Sequence, residues 1–465
     1  MATIDELIQQ LKSDDSYERS VAAQELGKRR TLRATEPLIE ALKKDPSPMV
    51  RNAAAEALGE NGDRRALQPL LETLNESEPV LRQSAIRAIR KLGDPRAIQP
   101  LADTLENDPD RSVRYTAAYA LTAFGDPRGI QPLIQALLQD SDSNERQYAA
   151  LALGEVSDPR AVNALTTALL QDSESRVRQY AAYTLGQLGD PNATDALITA
   201  LREDSDTTVR NYAAQALGKI GDRRAVDALL QAFSADKEIS VRAQSATALG
   251  EIGDPKAIDA LSQTALNKDE EVTLRVAVIH ALGNIPHPRA LETLIQVLRD
   301  NDGGWTIRHH ASVALGTLGD PNAIDALTEA LFNPKGDYQL PNAVAKSLAK
   351  IQHPKALQTL LNAVNEVDDD SITGWWIRDA ALEALAERRE PEVIPVLVQA
   401  LQDKSAGVRT QAANALQKHI SAHPDIILKL PPEDRNRLGQ ILQDQHHKEL
   451  QDELCKKPRG KRWRP

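Results

Sequence analysis

Apolar residues along this chain recur at helical spacing in short blocks, and each block gives way to a polar turn. Residues 158–189 show the unit. Asp158 followed by Pro159 predicts a helix start, with Asp as N-cap and Pro at the first helical position. Val162, Leu165, Ala168 and Leu169 then share one face of that helix. Asp172-Ser173-Glu174-Ser175 forms a turn, and a second helix presents Val177, Ala181, Ala182, Thr184, Leu185 and Leu188 before Gly189 closes it. Neither helix can bury its stripe alone, so the pair must stack on its neighbours.

The same phrase, V-R-x-x-A-A-x-A-L-G followed by G-D-P-R-A, returns down most of the chain. Its arginine falls at Arg19, Arg51, Arg82, Arg114, Arg146, Arg178, Arg210, Arg242, Arg275, Arg308, Arg378 and Arg409, and one copy carries Pro341 instead. A chain of 465 residues would ordinarily suggest about three domains. The repeat predicts an all-α solenoid of about thirteen helix pairs over residues 1–420, each pair touching its neighbours. The pattern fades after about Ala412. A terminal helical segment over 421–455, starting near Pro431, is expected to cap the stack, and 456–465 reads as a disordered tail.

An aspartate stands six residues before the arginine at Asp45, Asp108, Asp140, Asp172, Asp204, Asp236, Asp269, Asp302 and Asp403. So regular a pairing belongs to the scaffold. These side chains are expected to cap turns and to join successive repeats in a charge-assisted ladder.

Composition narrows the function. Hydrophobic residues make up 41% of the chain but aromatics only 3%, so the core must be built from Ala, Leu, Ile and Val. The formal charge is −11, and the last eleven residues hold six bases and no acid, leaving −17 for the rest. An acidic body argues against a nucleic-acid groove. Cys455 is the only cysteine, which excludes an internal disulfide or a multi-cysteine metal site within this chain. The N-terminal residues lack the pattern of a signal peptide, and no apolar run is long enough to span a bilayer. A cytoplasmic protein is expected.

The helix pair, turn aspartate, following arginine and Gly-Asp-Pro-Arg joint resemble the HEAT family over about residues 5–420. More narrowly, they resemble the short HEAT-like repeats associated with phycobilin lyases. The resemblance implies an α-α superhelix of HEAT/ARM type whose second helices line the concave side. It implies no single function, because this repeat serves unrelated proteins.

Exposed positions where copies differ are therefore the candidate sites. Tyr115, Tyr119, Tyr148, Tyr180, Tyr183 and Tyr212 are six of the eight tyrosines, and all lie on the second helices of copies four to seven. Counted from the arginine they sit one, two or five residues on. Positions one and five point away from the apolar stripe, and position two flanks it. The resemblance places these rings in the groove, where an apolar ring with a polar tip suits a protein contact or a planar ligand. A second group, Trp305, Tyr338, Trp375 and Trp376, lies at lengthened turns of copies ten to twelve and is expected to form an aromatic edge that binds a partner.

Chemistry finds less to work with. His309 and His310 are adjacent on one helix and poorly placed to share a metal, so they and His280 are given no ligand role. No catalytic or metal-binding residue is expected, and no cofactor. The basic tail could dock on an acidic partner.

These features point to a non-catalytic scaffold or assembly factor that binds protein, with no nucleic acid and no membrane span. The alternative implied by the resemblance is a bilin-binding phycobilin lyase-like protein or chaperone acting on phycobiliproteins. Deoxyhypusine hydroxylase, also built from HEAT-like repeats, binds iron through His-Glu pairs. This chain has none, so that activity is rejected.

Overall fold

The computed structural model describes residues 2–156, 158–300, 304–334, 339–365, 372–390 and 392–422. Among these the regular elements are α-helices and short 3-10 turns. They fall into two compact units, Met1–Ala225 and Val226–Pro465. The first unit stacks helix pairs whose second helices are Ser16–Lys28, Pro48–Asn61, Pro79–Leu92, Arg111–Ala123, Ser143–Leu153, Ser175–Leu188 and Thr207–Ile220. In the second unit they are Ile239–Ile252, Val272–Gly283, Gly304–Leu318, Leu340–Lys350, Ile372–Leu385 and Ala406–Ala422. The proposed terminal helix from Pro431 and the basic tail lie outside the described residues.

The pair at 158–189 forms as its pattern predicts, with helices Pro159–Gln171 and Ser175–Leu188. Asp158 caps the first by accepting from the Arg160 amide at 2.8 Å. Most other joints differ. In the Gly-Asp-Pro-Arg joint of the third copy, Pro95–Ala97 makes a 3-10 turn and the helix begins only at Ile98. The aspartate caps that turn instead: Asp94 accepts from the Arg96 amide at 3.1 Å and from its guanidinium at 2.7 Å. The hydrogen bonds from Arg96 draw the Asp94 carboxyl down to about 2. Asp63 behaves alike, drawn down to about 2, first by Arg65 and against the cost of its burial.

Gly189 ends its helix at φ +68°, a left-handed conformation that costs glycine little. The glycine of the A-L-G phrase does different work. A Cβ on Gly186 would stand 2.8 Å from Ala216 Cα, and one on Gly59 2.7 Å from Ala88 Cα. Successive second helices thus touch through a glycine eight residues after the arginine and a small residue six after the next arginine. Around that seam, Leu185, Leu217 and their equivalents are fully buried, each stabilising the stack by about 2 kcal/mol.

The expected ladder is present at most of its described rungs; Arg242 pairs with Glu270 at 3.9 Å rather than with Asp269, and Asp302 lies outside the described residues. Arg82 reaches Asp108 of the next copy through two hydrogen bonds of 2.8 and 2.7 Å, and its third nitrogen donates to the Glu76 carbonyl at 2.8 Å. Arg19–Asp45, Arg146–Asp172 and Arg178–Asp204 repeat the arrangement, each at 2.7 Å. Each aspartate also holds its own turn, as Asp108 does by accepting from the Asp110 amide at 2.9 Å. Planar guanidinium against carboxylate fixes both the spacing and the rotation of adjacent repeats.

Candidate functional site

Because the seam fixes how second helices meet, a residue five after one arginine falls beside the residue two after the next. That register builds the aromatic site. Tyr119 meets Tyr148 edge to face, ring centres 5.5 Å apart and planes at 90°. Tyr183 meets Tyr212 in the same way at 5.9 Å and 75°. Between the two pairs the corresponding positions are Leu151 and Tyr180, 41% and 36% exposed. With Tyr183 at 38%, they form an apolar stretch open to solvent on the first unit. Helices about 10 Å apart make this row roughly 30 Å long.

One end of the row is electrostatically organised. The Arg90 guanidinium carbon lies 4.4 Å from the centre of the Tyr119 ring. One Arg90 nitrogen donates to the Tyr119 hydroxyl at 3.1 Å and pairs with Glu155 at 3.3 Å. The Tyr119 hydroxyl in turn donates to Glu155. Burial, and after it the Glu155 bond, raises the Tyr119 phenol well above its ordinary value. Burial also pushes Tyr148 up to about 12, and its hydroxyl, buried beside Thr116, makes no hydrogen bond of good geometry. Neither phenol ionises near neutral pH, so the pair offers ring faces and edges rather than a base. At the other end, Lys219 lies 5.8 Å from the Tyr183 ring centre.

The remaining tyrosine has a separate task. The Tyr115 hydroxyl donates to Asp140 at 2.9 Å, and Arg111 pairs with the same carboxylate at 3.1 Å. They occupy the rung that the repeat arginine fills at Arg82–Asp108. Arg114 instead donates to the Asp108 carbonyl at 2.7 Å. Tyr115 therefore belongs to the ladder edge, set apart from the ring pairs.

The turns of copies ten to twelve present their aromatics unequally. Trp305 is 56% exposed at the start of its helix. Trp375 lies against the next second helix, since a Cβ on Gly407 would stand 2.9 Å from its indole nitrogen. Trp376 packs on Trp375 with ring centres 4.7 Å apart. Tyr338 lies outside the described residues. Wide clefts open elsewhere, along the ladder, one of about 610 Å³ lined by Arg82, Asp108, Leu71 and Thr104.

Sequence reasoning passed over Arg90, Glu155 and Leu151. A signal for Arg90 was there. Eight residues after the arginine most copies carry glycine, as at Gly27, Gly59, Gly154, Gly186, Gly218, Gly250, Gly283 and Gly316, and Arg90 replaces it. It also passed over the meeting of His280 with His310, which needs the five-to-two register that only the packed helices reveal.

A family model described as HEAT repeats matches residues 4–90, 67–142, 130–216, 194–274, 264–340 and 373–455. No curated protein sequence matches the chain. Among solved structures, importin beta crystallised in an ammonium sulfate condition is similar at 16% identity and TM-score 0.57, over 99% of this chain and 71% of that one. The karyopherin Kap121p bound to the extreme C-terminus of the protein phosphatase Cdc14p gives 16% and 0.52, over 92% of this chain and 55% of that one. Kap95p in its RanGDP study gives 12% and 0.50, over 99% and 80%. At such identities the likeness is one of fold.

Proposed function

The chain belongs to the HEAT-repeat family, and from that premise we propose that it is a non-catalytic scaffold or assembly factor that binds protein along the second-helix face of its fourth to seventh copies. The observation that carries this reading is the row of rings. Five residues after the arginine, where copies two and three carry Glu56 and Arg87, this stretch carries Tyr119, Leu151 and Tyr183, and position two adds Tyr148, Tyr180 and Tyr212. Rigid aromatic rings with polar tips are the usual anchors of protein contacts. The rings are already packed against one another, so little conformational freedom is lost when a partner covers them.

The partner is expected to offer aliphatic or aromatic side chains to this row, and a carboxylate or backbone carbonyl to Lys219 at its far end. Among the described residues no helix is long and apolar enough to cross a membrane, so the proposal needs no bilayer. The narrower likeness to phycobilin-lyase repeats rests on the scaffold phrase. It describes the repeat and adds no bilin contact to the rings.

The test is a quantitative affinity capture with wild type beside Tyr119→Ala/Tyr183→Ala and Trp305→Ala. The tyrosine variant is expected to weaken the principal partner by about 2 kcal/mol or more, roughly thirtyfold. Trp305→Ala is expected to leave it unchanged. Equal recovery by the tyrosine variant and wild type sinks the proposal.

A further inference from the structure

The register that pairs the tyrosines also brings two imidazoles together in the second unit, far along the sequence from the rings. His280, five residues after Arg275, meets His310, two after Arg308. His280 Nε2 and His310 Nδ1 face each other at 2.9 Å, with ring centres 4.8 Å apart and planes at 74°. His280 is exposed and His310 half-buried, so solvent reaches the pair. Each ring stands on a helix anchored by a buried arginine: Arg275 donates to the Ala265 carbonyl at 3.1 Å and Arg308 to the Leu298 carbonyl at 3.1 Å.

We propose that His280 and His310 form a two-nitrogen site for a borderline divalent cation of the late first-row series, with Cu2+ held most tightly and Ni2+ and Zn2+ more weakly.

The geometry is the first argument. Nitrogen ligands about 2.0 Å from an ion stand roughly 2.8 Å apart at the right angles of a square-planar centre, and about 3.3 Å apart in a tetrahedron. The observed 2.9 Å lies between these values and close to the first. A turn of each ring about its Cβ–Cγ bond would be needed to aim both lone pairs at one ion. Each neutral imidazole keeps its proton on the remote nitrogen, so the site needs a change of tautomer and no base.

Freedom from competing partners is the second argument. Among the described residues the one polar side-chain contact of either ring is with the other, so no ion pair or amide has to be displaced. His309 packs edge to face on His310, ring centres 5.3 Å apart. Among the described residues no third histidine, cysteine or carboxylate completes a larger cluster. The remaining coordination positions therefore fall to water, or to a ligand supplied from outside.

Cu2+ titration of the untagged full-length chain by calorimetry tests this, with electron paramagnetic resonance of the loaded protein as a second readout. Wild type is expected to bind one equivalent that His280→Ala and His310→Ala each weaken at least about tenfold, since losing a ligand costs no less than losing its support. The nitrogen splitting should fall from two imidazoles to one in either variant. His309→Ala is expected to leave affinity and spectrum unchanged, and unaltered thermal unfolding of all three variants shows that each remains folded. Retention of this equivalent by His280→Ala/His310→Ala, or a wild-type spectrum without two nitrogens, overturns the assignment.

Discussion

The second-helix faces of copies one to three and of copies four to seven share one backbone design and carry opposite chemistry. In the first group the outward positions are charged and satisfy one another: Lys91 pairs with Glu60, Arg87 with Glu56 at 3.8 Å, and Lys28 with Glu25 at 2.7 Å. Such exposed pairs contribute only about 0–1 kcal/mol each and keep the surface hydrated. In the second group the position of Glu56 and Arg87, five after the arginine, holds Tyr119, Leu151 and Tyr183, and the rings of Tyr119 and Tyr183 pack edge to face against the next helix. Arg90 sits at the junction, where a scaffold glycine is exchanged for a guanidinium that leans over the first ring. Packing dictates the seam, and the positions it leaves free decide what the face can hold.

The sharpest way to break this comparison uses two arginines on one helix. Arg82→Ala removes the partner of Asp108, with both side chains almost wholly buried. An uncompensated buried carboxylate should cost about 3–5 kcal/mol, read as a lower urea midpoint. Arg90→Ala, one copy's seam away from the same ladder, should cost about 1 kcal/mol or less, because it loses a cation–π contact and a half-exposed ion pair. Its effect should appear instead in partner binding. Equal losses of stability from the two would show that the rings and the ladder are one structural network.

A smaller effect separates joints from rings by pH. Asp63 and Asp94 titrate near 2 in the folded chain against an ordinary 3.8. A lowered carboxyl stabilises above the unfolded value and loses that contribution as pH falls through the folded one. Wild type should therefore lose stability between about pH 4 and pH 2. Asp63→Asn/Asp94→Asn should start less stable at pH 7 and lose less over that window, followed by circular dichroism. The tyrosine variant should keep the wild-type slope.

Much of this was legible in the sequence because the repeat reports its own geometry. The ladder followed from the spacing of Arg82 and Asp108, and the helix ends from Asp158 and Gly189. The 3-10 turn at Pro95–Ala97 was not legible, since Asp-Pro announces a helix start whichever kind of turn comes first. The tyrosines stood out as candidates, but their pairing did not. Which ring meets which depends on the seam between successive second helices, a contact between residues about thirty positions apart. For the same reason Tyr115 looked like a groove residue until Asp140 was found beside it, and His280 looked unrelated to His310. Glu155 was hidden among many surface acids, with nothing in its own neighbourhood to mark it.

The most direct test of the central claim is hydrogen–deuterium exchange of the chain with and without its captured partner. Slower exchange is predicted in Arg111–Ala123, Ser143–Leu153, Ser175–Leu188 and Thr207–Ile220, with Ser16–Lys28 and Pro48–Asn61 unchanged. Protection confined to the charged faces of the first copies, or to the turn around Trp305, would contradict it.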